Sequence, residues 1–182
     1  MSTGYLLASL PMLFPDRPPA ISADAFVAAC RAALPASAAE TAERLLIGYA
    51  EPDATGWALA WQGIEAALLR AIGRKRLERR GGGAQAEAVP PETSACPVWL
   101  ERAVAAAFES SSDPLTRERA LLRVYWAAAD DLAGFDPMAR GQVFAYAVKL
   151  RLALRLAALD EARGKERLEE ALPEAPRLVR QG

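Results

Sequence analysis

The sequence predicts an all-α protein, a multi-helix bundle of two helical lobes joined by a flexible linker. Three observations predict it. Apolar side chains recur every three or four residues along most of the chain, the period of one helix face. Residue types that start and stop helices bracket those stretches. A Gly-, Ala- and Pro-rich stretch over 81–95 divides the stretches into two groups. The expected organisation is an N-terminal helical lobe over 1–80, a linker over 81–95, a C-terminal helical lobe over 96–172 and a tail over 173–182.

Each element follows from local signals. Tyr5-Leu6-Leu7-Ala8-Ser9-Leu10-Pro11 is apolar but soon interrupted by Pro15 to Pro19, too short for a stable helix of its own. It is expected to lie extended, or as a single turn, against the core. Ser22 is an N-cap for a helix over about 23–34, in which Phe26, Cys30 and Leu34 form the buried stripe and Pro35 ends the run. Ser37 to Glu40 matches the S-x-x-E capping box, predicting a helix to about Tyr49 that buries Leu45, Leu46 and Tyr49. Pro52 breaks the chain and Asp53 can cap the next helix. There Trp57, Trp61, Ile64, Leu68 and Ile72 form a stripe at helical spacing, read as core packing, with an aromatic docking face as the alternative.

That helix finishes in Arg70, Arg74, Lys75, Arg76, Arg79 and Arg80 before Gly81-Gly82-Gly83. Cations at a helix C-terminus complement its dipole and glycine ends the helix. The same cations can instead dock on an acidic partner. After the linker, Pro97 suits the first turn of a helix with the stripe Leu100, Val104 and Phe108, flanked by Trp99. Ser110 to Ser112 form a loop, and Asp113-Pro114 starts a helix that buries Leu121 or Leu122, Tyr125, Ala128 or Ala129, and Leu132 up to Gly134. Asp136-Pro137 repeats that start signal, predicting a last long helix over 137–162 with Phe144, Val148, Leu152 and Leu159 on one side. Leu150, Leu154 and Leu156 widen its apolar surface beyond that of a surface helix. It is therefore expected at the centre of the second lobe or at a partner interface.

Composition narrows the function. The 182 residues include 52% apolar side chains, much of the excess alanine, which favours helix but buries little. A net charge of −1 gives no reason to expect nucleic-acid affinity, and no aromatics interleave the basic run. Cys30 and Cys96 show no metal spacing and read as buried, reduced thiols, a disulfide between them being the alternative. No basic leader precedes the apolar run at Tyr5, and the apolar stretch around 143–159 carries Lys149, Arg151 and Arg155. The expectation is a cytoplasmic protein without direct membrane insertion.

The chain contains no histidine, which removes the commonest general base and rules out a Ser–His–Asp triad or a Cys–His dyad. Asp130 and Asp131 are adjacent, so on a helix they point about 100° apart and are poorly placed to share a proton. The same holds for Asp160 and Glu161. The run at Gly81 to Gly83 follows a helix and lacks the closing GK[ST] of a phosphate loop. No cofactor is expected, and the reading is a protein that binds partners without catalysing a reaction.

The opening run Tyr5 to Pro11, with Leu13 after it, resembles the start of an uncharacterised bacterial family, domain of unknown function 2764. The similarity continues loosely through Ser22, Phe26 and Cys30, then Pro97 and Trp99. Leu121-Leu122 with Tyr125-Trp126, and Phe144 with Tyr146, resemble its aromatic-rich helical pair. The chain departs from it at Ala147, Lys149 and Arg151, where the family carries asparagine and acidic residues, and in being shorter. The resemblance implies a non-catalytic subunit of a bacterial V/A-type ATPase, a proton- or sodium-transporting complex, standing in for the C (d-like) subunit that seats the central stalk on the rotor ring. Its implied partners are the other subunits of that complex, and its implied location is peripheral to the inner membrane. The candidate partner-binding residues are Arg74, Lys75, Arg76, Arg79, Arg80, Lys149, Arg151 and Arg155. A helical chaperone or adaptor for another enzyme is the alternative that composition alone leaves open. An enzyme built on carboxylates and arginines is the third class, and it requires a pocket with two facing acids.

Overall fold

The computed structural model describes residues 3–49, 56–81 and 98–159, and these form an all-α bundle with no strand among them. The helices are α1 (Thr3–Ser9), α2 (Ala23–Ala33), α3 (Ala36–Ile47), α4 (Gly56–Arg79), α5 (Val98–Glu109), α6 (Pro114–Ala133) and α7 (Arg140–Ala157). No helix among the described residues is long and apolar enough to cross a membrane.

Helix α7 is the axis of the bundle. Val143, Ala145, Tyr146, Ala147, Val148, Leu150, Leu152 and Ala153 are all buried, so the helix is covered on most of its circumference. It packs lengthwise on α6 and on α3, and also meets α1 and α4. Helix α4 in turn packs on α5 and α6. The alanines along α3, α6 and α7 let the backbones approach closely, and Trp61, Phe26, Leu68 and Leu100 fill the remaining space. Burying one such leucine contributes roughly 1.5–3 kcal/mol.

This arrangement corrects the two-lobe expectation. Phe26, Leu45, Trp61 and Leu68 belong to the same apolar cluster as Leu100, Val104, Leu121 and Leu150. Segments on both sides of 81–95 therefore share one core. Glycine and proline content marks where a chain can bend, but it does not tell whether the flanking helices pack on each other. The linker from residue 82, Asp53, Pro97, Cys96 and the tail lie outside the described residues.

Several expected elements stand. Ser22 caps α2, its Oγ accepting from the Ala25 N–H at 3.2 Å. Asp113 caps α6 by accepting from the Thr116 N–H at 2.7 Å, and that bond holds its carboxyl below the usual value. The stripes Phe26–Cys30–Leu34 and Leu100–Val104–Phe108 are buried. Cys30 is a buried free thiol, and Cys96, its partner in the disulfide alternative, lies outside the described residues.

Others are corrected. The opening run is neither extended nor a single turn but the seven-residue helix α1, with Leu6 buried against the core. Tertiary contacts to α2 and α7 supply what its length cannot. Ser37 does not cap α3, because Pro35 already stands at the N-cap and its carbonyl accepts from Ala38 and Ala39. Tyr49 is 57% exposed, since Gly48 at φ 76° turns the chain out of the helix before the stripe reaches it. Asp136 starts a turn instead of a helix, accepting from the Met138 N–H at 2.9 Å, and α7 begins at Arg140. Helix α7 ends at Ala157, and Leu159 is 39% exposed.

Candidate partner-binding groove

The C-terminal end of α3, the middle of α4, and facing stretches of α6 and α7 enclose a groove of about 310 Å³. Its floor is apolar and buried: Ile72, Leu121, Leu122 and Leu152. Ile47 and Leu69 stand on its rim with 68% and 59% of their surface exposed. Helix α3 stops at Gly48, which opens the groove at that end.

Two ion pairs cross it. Arg151 on α7 donates to Glu65 on α4 at 2.7 Å, and Arg155 on α7 donates to Glu118 on α6 at 2.6 Å. Arg76, also on the rim, is exposed and makes no ion pair among the described residues. The Tyr125 hydroxyl faces the same space. Desolvation, with a smaller contribution from the negative charge of Glu65, pushes its pKa up to about 12, so it is a protonated donor at neutral pH. Each carboxylate is engaged by an arginine, which leaves neither placed as a free general base. Among the described residues no group of three or more His, Cys, Asp or Glu side chains converges as a metal site would require. The groove can grip: it offers an apolar floor, fixed charges and one arginine with its charge uncompensated.

The eight predicted cations do not form one patch. Arg76, Arg151 and Arg155 meet in the groove. Arg74 is paired with Glu101 of α5, and Lys75 with Glu78 at 2.8 Å. The Arg79 guanidinium donates to the Phe108 carbonyl at the end of α5 and lies 5.4 Å over the Phe108 ring. Arg79 thus meets the negative end of the neighbouring helix as well as that of its own. Arg80 is exposed at the end of α4. Lys149 lies away from the groove, paired with Asp130 at 2.6 Å and 5.5 Å from the Trp126 ring centroid. The family-like opening contributes Leu6 to the core, with Leu7, Leu10 and Pro11 half-buried and Tyr5, Ala8 and Ser9 exposed.

Glu65, Glu118, Tyr125, Ile47 and Leu69 were not among the predicted site residues. Glu65 lies 86 residues from its partner Arg151, and Glu118 lies 37 from Arg155, so no local spacing could pair them. Ile47 and Leu69 carried a weak signal, as large apolar residues off the stripe of their own helices.

Comparison of the chain with protein-family models, with curated proteins and with solved structures finds no match.

Proposed function

We propose that the protein is a non-catalytic, partner-binding component of a bacterial V/A-type ATPase, an accessory or central-stalk subunit linking the stalk to the membrane rotor. The observation that carries the partner-binding part is the groove, where exposed Ile47 and Leu69 flank a buried apolar floor beside Arg76. Apolar anchors beside an uncompensated charge suit an amphipathic helix laid along the groove, its apolar face inward and an acidic residue toward Arg76. The choice of complex is supported by the opening run Tyr5 to Pro11 and its resemblance to the family encoded with such ATPases. Association with the inner membrane then comes through the complex.

Co-purification tests the reading. Tagged protein should bring down catalytic and stalk subunits of the ATPase. Arg76→Glu should weaken that capture severalfold at low ionic strength, the difference fading as salt shortens the screening length to about 3 Å at 1 M. Recovery of the tagged protein without any ATPase subunit would remove the assignment to that complex. Wild-type capture by Arg76→Glu and by a double Ile47→Ser, Leu69→Ser variant would remove the groove.

A further inference from the structure

On another face of α6, a second pocket of about 330 Å³ collects three arginines from two distant segments: Arg17 from the loop after α1, and Arg119 and Arg123 from α6. Arg119 and Arg123 are one helical turn apart, so both project to the same side of α6 and repel each other. Arg17 adds a third positive charge. The last turn of α7 closes one wall. None of the three makes an ion pair among the described residues, although Arg31, Arg74, Arg151 and Arg155 are each matched with a glutamate. Asp16 also lines the pocket, leaving a surplus of two positive charges.

The loop is held in place. Pro18 directly follows Arg17 and restricts its backbone, and the guanidinium lies 5.1 Å over the Phe14 ring. A guanidinium fixed before binding loses less freedom when it binds. Three guanidinium groups around a small concave space, with two charges to neutralise, match a phosphate monoester, which carries about −1.5 to −2 at neutral pH and accepts paired hydrogen bonds from guanidinium.

We propose that Arg17, Arg119 and Arg123 form a binding site for the phosphate group of a small soluble ligand, separate from the groove between α3, α4, α6 and α7. Proline rings and the end of α7 give the rest of that ligand only a shallow apolar wall, so the phosphate dominates recognition.

The test is a titration of the full-length protein with inorganic phosphate and with pyrophosphate at low ionic strength. It is followed by calorimetry and by the side-chain Nε–H resonances of the arginines. Saturable binding should shift the resonances of Arg17, Arg119 and Arg123 and leave that of Arg31 in place. Arg119→Ala and Arg123→Ala should each weaken binding roughly tenfold or more, as expected for loss of a charge-assisted bond. Arg31→Ala, on α2 and outside the pocket lining, should bind as wild type. If a variant fails to fold, Arg119→Lys keeps the charge but not the paired geometry and should still weaken binding. Absence of saturable binding, or shifts spread evenly over all arginines, overturns the site.

Discussion

At the scale of single residues, Tyr146 does the most to join distant parts of the chain. Its hydroxyl donates to the Pro11 carbonyl at 2.8 Å, across 135 residues, and its ring stacks on Phe26 at 5.3 Å between centroids. One bond thus ties the end of α1 to the central helix. Tyr146→Phe keeps the ring and removes the bond, so it should cost about 1 kcal/mol in denaturant unfolding, with amide exchange rising first in α1. The same residue sets a pH dependence. Burial raises the Tyr146 hydroxyl from 10.0 to about 12, as it raises Tyr125 to about 12 and the Cys30 thiol from 9.0 to about 11. A group with a raised folded pKa contributes stability that is complete below its unfolded pKa and is lost as pH rises through the folded one. Stability should therefore decline between about pH 9 and 12, and the decline should be shallower in Tyr146→Phe because one of the three groups no longer titrates. Identical alkaline limbs in the two proteins would show that Tyr146 is not the linked group.

At the scale of elements, the end of α3 controls the groove. Gly48 sits at φ 76°, which L-residues with a Cβ rarely adopt, and a Cβ there would lie 2.5 Å from a guanidinium nitrogen of Arg151. Gly48→Ala combines backbone strain with displacement of the arginine that holds Glu65. It should destabilise the protein by about 1 kcal/mol or more and also reduce partner capture, read by thermal unfolding and co-purification on one preparation. An unchanged melting temperature would mean that the helix end is looser than its geometry. Such ends were only partly legible in the sequence. Ser22 and Asp113 were readable because a capping oxygen acts within three residues. Ser37 misled because Pro35, two residues earlier, had already started the helix. Helix α1 was invisible to local reasoning, since a segment of seven residues is stable only through what it packs against.

At the scale of the whole molecule, periodicity tells which face of a helix is apolar but not which other helix covers it. The all-α class and most stripes could be read directly for that reason. The single core and the ion pairs across the groove could not, because they join residues far apart in the chain. The consequence for stability is definite. Leu68 in α4 and Leu150 in α7 are each fully buried in one cluster that α3, α4, α6 and α7 build together. A domain of this size with one core should unfold in one cooperative step. Leu68→Ala and Leu150→Ala should each lower stability by about 2–5 kcal/mol, and each should shift the signals of both halves together. Urea unfolding can be followed by far-UV circular dichroism and by tryptophan emission, using variants that retain only Trp57 and Trp61 or only Trp99 and Trp126. One core requires all the midpoints to coincide. Separate midpoints for the two tryptophan pairs, with each leucine variant moving only its own, would restore two independent lobes. In that case the groove that spans α3, α4, α6 and α7 would have no fixed shape to present to a partner.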